Sequence, residues 1–172
     1  MNVDSAIRTR RTHKAYRAEP VAPALLDHLF ELARWAPNHH LSNPWRFRVI
    51  GPVALEALKA AADAERPGSS RKLERAPTLV AATAVQSGDP VRDREDLLAT
   101  GVAIYLVMLA AHVRGLGSYW RTVPLLDTPA GRAALGIPAG EAAVGLLHLG
   151  HPLHTPSPPP RAAVDEVVRH LD

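Results

Sequence analysis

The chain has 172 residues, 47% hydrophobic and 22% charged, which is enough for one domain with a core of its own and ordinary for a globular protein. It has no cysteine, which excludes disulfides, thiolate catalysis and Cys-ligated zinc or iron–sulfur clusters. The formal charge is only +3, no uninterrupted apolar run reaches the ~18 residues of a membrane span, and no apolar stretch follows Met1 as in a secretory signal, so a cytoplasmic location is expected.

In chain order, Asp4 or Ser5 caps a first short helix running to about Arg11. Pro23 opens a second helix, with Leu25, Leu26, Leu29, Leu32 and Ala33 as its apolar stripe, and Pro37 ends it. Residues 38–44 form a polar loop. Trp45 to Ile50 alternates large apolar residues with Arg46 and Arg48, the pattern of a strand with one polar face. A helix from Gly51-Pro52 to about Asp63, a mobile loop at Pro67-Gly68-Ser69-Ser70 and a buried strand from Thr78 to Val85 follow. Asp93 to Arg114 is the longest helical pattern. It is apolar almost all round from Val102 to Ala111, which predicts burial in the core or against a second subunit. Gly115 and Gly117 stop it. Tyr119 to Arg121 is short and extended, Thr128-Pro129 starts a helix ending at Gly136, and Ala142 to Gly150 is a strand. Pro152 to Pro160 is extended, and Val164, Val167, Val168 and Leu171 suggest a short final helix. No repeat or domain boundary is visible, so residues 1–172 read as a single α+β or mixed α/β domain.

The signatures of several chemistries are missing. No phosphate-binding Gly-x-x-x-x-Gly-Lys loop, no Gly-x-Ser-x-Gly elbow and no His-Glu-x-x-His pair is present. Gly115-Leu116-Gly117-Ser118-Tyr119-Trp120 begins like a dinucleotide fingerprint, but it follows a helix and carries Trp120 in place of the third glycine. His148, His151 and His154 do not share a face, because strand alternation and Pro152 separate them. They read as surface or satisfied histidines, and no metal site is assigned. The cations are scattered apart from Arg8, Arg10, Arg11, Lys14 and Arg17. A short cluster of that kind suits a phosphate-bearing small ligand better than a nucleic acid, although a solvated helix end has the same composition. Arg10-Arg11-Thr12 combines two guanidinium forks with a hydroxyl, a donor set for phosphate. The loop between Trp35 and Trp45 can wall a flat aromatic ligand, or both tryptophans can belong to the core.

Taken together, Arg10-Arg11-Thr12, Ala36-Pro37-Asn38-His39, Asn43-Pro44-Trp45-Arg46-Phe47, Gly115 to Thr122 and Leu149-Gly150-His151-Pro152 resemble, in order and spacing, the motifs of the nitroreductase family of flavoproteins, in its compact branch. Thr12 stands where serine is usual and Asn43 where glutamine is usual. The resemblance implies an α+β nitroreductase-like fold: a central mixed β-sheet flanked by helices, in an intertwined homodimer with FMN at the interface. Carried over by motif, Arg10, Arg11, Thr12 and Arg161 would bind the phosphate and ribityl end. Trp35, His39 and Asn43 would lie by the flavin, His39 from the second subunit. Trp120, Arg121 and Thr122 would line the ring edge, and Gly150 would allow close backbone approach. NADH or NADPH would be the electron donor and a nitroaromatic or quinone the acceptor, in a ping-pong reaction carried by flavin N5 with no catalytic side chain. No membrane or nucleic-acid partner is implied. Another reaction on the same fold (ene-type reduction, dehalogenation, flavin destruction) or a non-enzymatic FMN-binding role stays open at this point.

Overall fold

A computed structural model describes residues 1–171. The N-terminal helix α1 (Val3–Thr9) is capped by Asn2, whose side chain accepts from the Ser5 amide, in place of the expected Asp4 or Ser5. Asp4 lies inside the first turn, where a negative charge suits the helix dipole. Helix α2 (Pro23–Ala33) and strand β1 (Trp45–Val49) fall where the apolar patterns predict them, as do helix α3 (Pro52–Glu65) and strand β2 (Thr78–Val85). The stretch expected to be a mobile loop is a 3₁₀ turn over Ser69–Lys72, where the Ser70 amide donates to the Asp63 carboxylate at 2.9 Å. Helix α4 (Pro90–Val113), strand β3 (Gly117–Arg121), helix α5 (Pro129–Leu135) and strand β4 (Glu141–Gly150) follow. Thr128 caps α5, and Gly136 closes it in the left-handed conformation. The final helix α6 is one turn, Val164–Val167, and it is exposed.

The strands form one sheet in the order β1-β2-β4-β3, with every neighbouring pair antiparallel. The mixed character expected of the sheet reduces to a single parallel bridge, Thr12 to Ser118, which lays the segment after α1 beside β3. Strand alternation divides the core between the two faces. Val80, Ala82, Leu147 and Leu149 pack against α2 and α4, while Leu79, Ala81 and Leu146 pack against α3, α5 and Leu126. Gly145 sits at a bulge in β4, and a Cβ there would strike the Trp120 indole and the Arg121 carbonyl.

Helix α4 has the length and apolarity of a membrane-crossing helix. Here Ala103, Ile104, Val107 and Ala111 are completely buried against the sheet. Burial is one-sided: Leu97, Leu98 and Val102 are 41%, 64% and 40% exposed. The helix therefore fills the core with one stripe and leaves another apolar stripe uncovered.

Candidate functional site

The chain leaves α1 at Arg10 in an extended conformation. The His13 amide then donates to the Ser118 carbonyl at 3.0 Å, and Tyr16 bridges to Pro152. These links hold Arg10, Arg11, Thr12 and Lys14 against the tail that leaves β4. Together with His154, Ser157 and Arg161 of that tail they line a cavity of about 480 Å³. Four cations face this space and no carboxylate does. Arg11 Nη1 is used locally, donating to the carbonyls of Arg8 and Arg10 at 2.7 and 2.8 Å. Arg10 Nη1 is buried with no partner. A buried guanidinium N–H without an acceptor is costly, so the pocket is complementary to an anion rich in acceptor oxygens. His13 lies beneath, its ring packed so tightly on Gly117 that a Cβ there would meet it at 2.8 Å. Its pKa is lowered chiefly by burial and further by neighbouring His112, Arg10 and His154, against the backbone carbonyl of Arg11, which as an acceptor for the ring favours the protonated form. A bound phosphate fits this donor set: guanidinium forks for charge, and the Thr12 and Ser157 hydroxyls for neutral hydrogen bonds.

Residues 38–43 form a second candidate region. His40, Leu41 and Asn43 all have left-handed backbones, at φ 51°, 53° and 47°. Each such residue with a Cβ costs on the order of 1 kcal/mol. The Asn43 side chain is spent on this geometry, donating to the Leu41 carbonyl at 2.7 Å. His39 faces a shallow surface depression with Glu95, Leu98 and Val102. Trp35 is 73% exposed and borders an apolar groove formed with Met1, Leu32, Leu109 and Val113, whereas Trp45 is buried. The reading that places both tryptophans in the core therefore holds for Trp45 alone.

The consecutive residues Trp120, Arg121 and Thr122 go three ways. The Trp120 indole joins the core on the α4 side and donates to the Val144 carbonyl at 3.3 Å. Arg121 points to the opposite face, where with Lys72 and Ser69 it lines a cavity of about 220 Å³, its Nη1 buried and unpartnered. Thr122 is exposed at a smaller pocket beside Asp127 and Gly145. Gly150 is small for a reason internal to the domain: a Cβ there would meet Pro77 at 2.9 Å and Tyr16 at 3.2 Å.

Of the residues singled out in the sequence, the fold gathers Arg10, Arg11, Thr12 and Arg161 into one pocket and keeps Trp35, His39 and Asn43 apart from it. Lys14 also lines the pocket; its place in the Arg8–Arg17 cluster was the available signal. His148 is a correction. It is fully buried beside Tyr119, and neither ring nitrogen has a partner, so it is neither a surface nor a satisfied histidine. Among the described residues no cluster of His, Asp or Glu suits a metal ion.

Comparison with known proteins gives a consistent neighbourhood. The family described as "Nitroreductase family" matches residues 7–151. YfhC of Bacillus subtilis (strain 168), provisionally named an NAD(P)H nitroreductase, is 24% identical over 163 residues, spanning 87% of this chain and 84% of YfhC. A nitroreductase-like family protein from Bacillus cereus superposes with a TM-score of 0.90 at 25% identity, over 100% of this chain and 97% of the other. A provisionally named nitroreductase of Desulfovibrio desulfuricans, crystallised in complex with FMN, superposes with a TM-score of 0.82 at 25% identity, over 100% and 98% of the two chains.

Proposed function

The chain belongs to the nitroreductase family, and from that premise we propose that it is an FMN-dependent NAD(P)H oxidoreductase that works as a homodimer and reduces small acceptors such as nitroaromatics or quinones. The observation that carries the cofactor is the unpartnered Arg10 Nη1 in a four-cation pocket free of carboxylates. The FMN complex of the Desulfovibrio relative supports the same reading.

Arg10, Arg11 and Arg161 would neutralise the phosphate, and Thr12 would donate its hydroxyl proton to a phosphate oxygen. FMN, when bound, supplies the hydride chemistry. The protein binds and orients. Trp120 acts through the fold, holding β3 against α4, while Arg121 and Thr122 remain free to present donors at the edge of β3. NADH or NADPH and then the acceptor visit one site in turn, a ping-pong order, and no side chain is assigned as acid or base. The second subunit is supported by the uncovered stripe of Leu97, Leu98 and Val102 and by exposed Trp35. Pairing two copies through this stripe would bring the His39 loop of one to the cofactor of the other.

Purified protein should be yellow and release FMN on denaturation. A colourless preparation that cannot be reconstituted with FMN refutes the proposal. Leu98→Glu, which places a charge in the apolar stripe, should shift the protein to monomers in sedimentation and lower FMN retention.

A further inference from the structure

The loop at residues 38–43 combines three left-handed residues with little apolar packing. Leu41 is 77% exposed, and His39, His40 and Asn43 also lie at the surface. Strain of that kind persists only where surroundings over-determine the backbone, and it concentrates at functional sites. Several restraints are local. Asn38 Oδ1 accepts from the Asn43 amide at 2.9 Å, and Arg46 Nη1 donates to the Asn43 carbonyl at 2.9 Å. One hydrogen bond ties the loop to the long helix: Ser42 Oγ donates to Asp96 Oδ1 at 2.6 Å, between residues 54 positions apart.

Asp96 is an unusual residue for that helix face. It is 4% exposed and lies one and two turns before Ala99 and Ala103, which pack with Ala36 and Trp45. Aspartate is rarely buried this deeply without a partner. Its only cationic neighbour among the described residues is the exposed Arg92, 4.0 Å away. The Thr100 hydroxyl bonds the Asp96 backbone carbonyl at 2.8 Å and leaves the carboxyl group to Ser42.

We propose that Ser42 and Asp96 form an anchor that positions His39, clamping its strained loop to α4 so that the imidazole is already placed when the cofactor binds. The inference rests on the reading that His39 meets the flavin across the dimer. Without the anchor the loop samples several backbones, and affinity falls by the fraction of time spent in the competent one.

The test uses the full-length protein and four variants: Ser42→Ala, Ser42→Thr, His39→Ala and the double variant Ser42→Ala/His39→Ala. FMN affinity is read by fluorescence titration, flavin environment by the visible spectrum, and loop order by amide hydrogen exchange over residues 38–43 of the apoprotein. Ser42→Ala should weaken FMN binding roughly tenfold, alter the flavin spectrum and speed exchange in the loop. Ser42→Thr, which keeps the hydroxyl, should restore all three. In the His39→Ala background, Ser42→Ala should have no further effect on FMN affinity. The proposal is overturned if Ser42→Ala only lowers the melting temperature, or if its effect on affinity is the same with and without His39. A wild-type protein that takes up no FMN defeats the functional reading instead. The anchor is then judged by exchange alone, and unchanged exchange in Ser42→Ala overturns it.

Discussion

Arg48 and Arg10 are both partly buried guanidiniums, and the fold treats them in opposite ways. Arg48 grips both oxygens of Glu141, at 2.8 and 3.1 Å, and donates to the Thr83 hydroxyl at 2.9 Å. Thr83 donates in turn to Glu141, while Arg132 bonds the Glu141 backbone carbonyl at 2.9 Å. Burial pushes the Glu141 carboxyl up, but the hydrogen bonds from Arg48 and Thr83 outweigh it and hold the pKa below the usual value. Arg10 has no such closure. Its Nη1 is unpartnered, and so are His13 Nδ1, Ser118 Oγ, Arg121 Nη1 and both nitrogens of His148. All of these lie on β3, on its neighbour β4 or on the segment bridged to β3. The fold satisfies a charged network beside β1 and leaves a band of buried, unpaired polar groups around β3. The first cluster is complete as folded; the second keeps unpaired groups, of which Arg10 lines the proposed phosphate pocket.

The difference is breakable by mutation. The largest effect is expected at the closed cluster. Glu141→Ala strands Arg48 and should cost about 3–5 kcal/mol of stability, read by urea unfolding. Because the Glu141 pKa is depressed in the folded state, its contribution is present above the unfolded carboxylate range near 4.5 and is lost as the pH falls through the lower folded value. A loss below ~1 kcal/mol means the network is not closed in solution.

His148 provides the next effect. Burial first, then Arg121 and Arg75, push its pKa down to about 4 from 6.5. The unfolded chain binds a proton that the folded protein refuses across this window. Stability should therefore fall as the pH drops from 6.5 to 4, by up to about 3 kcal/mol. His148→Leu should flatten that slope, and an unaltered slope in unfolding titrations contradicts the burial of an unpaired imidazole.

At the open cluster the sign divides. Arg10→Ala/Thr12→Ala should raise the FMN dissociation constant about 100-fold, or about 2.7 kcal/mol. The apoprotein should lose no stability, since an unsatisfied buried donor disappears. Unchanged FMN retention refutes the phosphate assignment. The smallest effects form a matched pair. Thr83→Ala removes a bonded hydroxyl and should cost about 1–2 kcal/mol, whereas Ser118→Ala removes an unpartnered one and should stay within about 0.5 kcal/mol of wild type. Equal costs at both positions erase the distinction between the clusters.

Local chemistry made much of this molecule readable. Pro23, Pro52 and Pro129 mark helix starts because proline tolerates the first turn, and the helices begin there. The apolar run from Thr78 to Val85 predicts a buried strand, and β2 has those bounds, sitting mid-sheet with helices on both faces. That Arg10, Arg11, Thr12 and Arg161 belong together was readable from side-chain chemistry and the family resemblance, and the fold lines one pocket with all four although about 150 residues separate the first three from the last. The cap at Asn2 was missed because Asp4 and Ser5 offer the same chemistry a few residues later.

What the sequence determined by itself was the periodic and punctuated part: which segments are helices and strands, the absence of thiol chemistry, and a donor set suited to phosphate. These follow from interactions between residues close in the chain. Only the tertiary structure decided which polar groups find partners. Arg48 meets Glu141 across 93 positions and Ser42 meets Asp96 across 54, while the His148 ring nitrogens meet no hydrogen-bond partner. The same strand alternation turns Trp120 into the core and Arg121 toward a cavity, and which face holds which environment is set by the packing of α4 and α3 on opposite sides of the sheet. Partnership over such separations depends on register and layer packing, which no local pattern encodes.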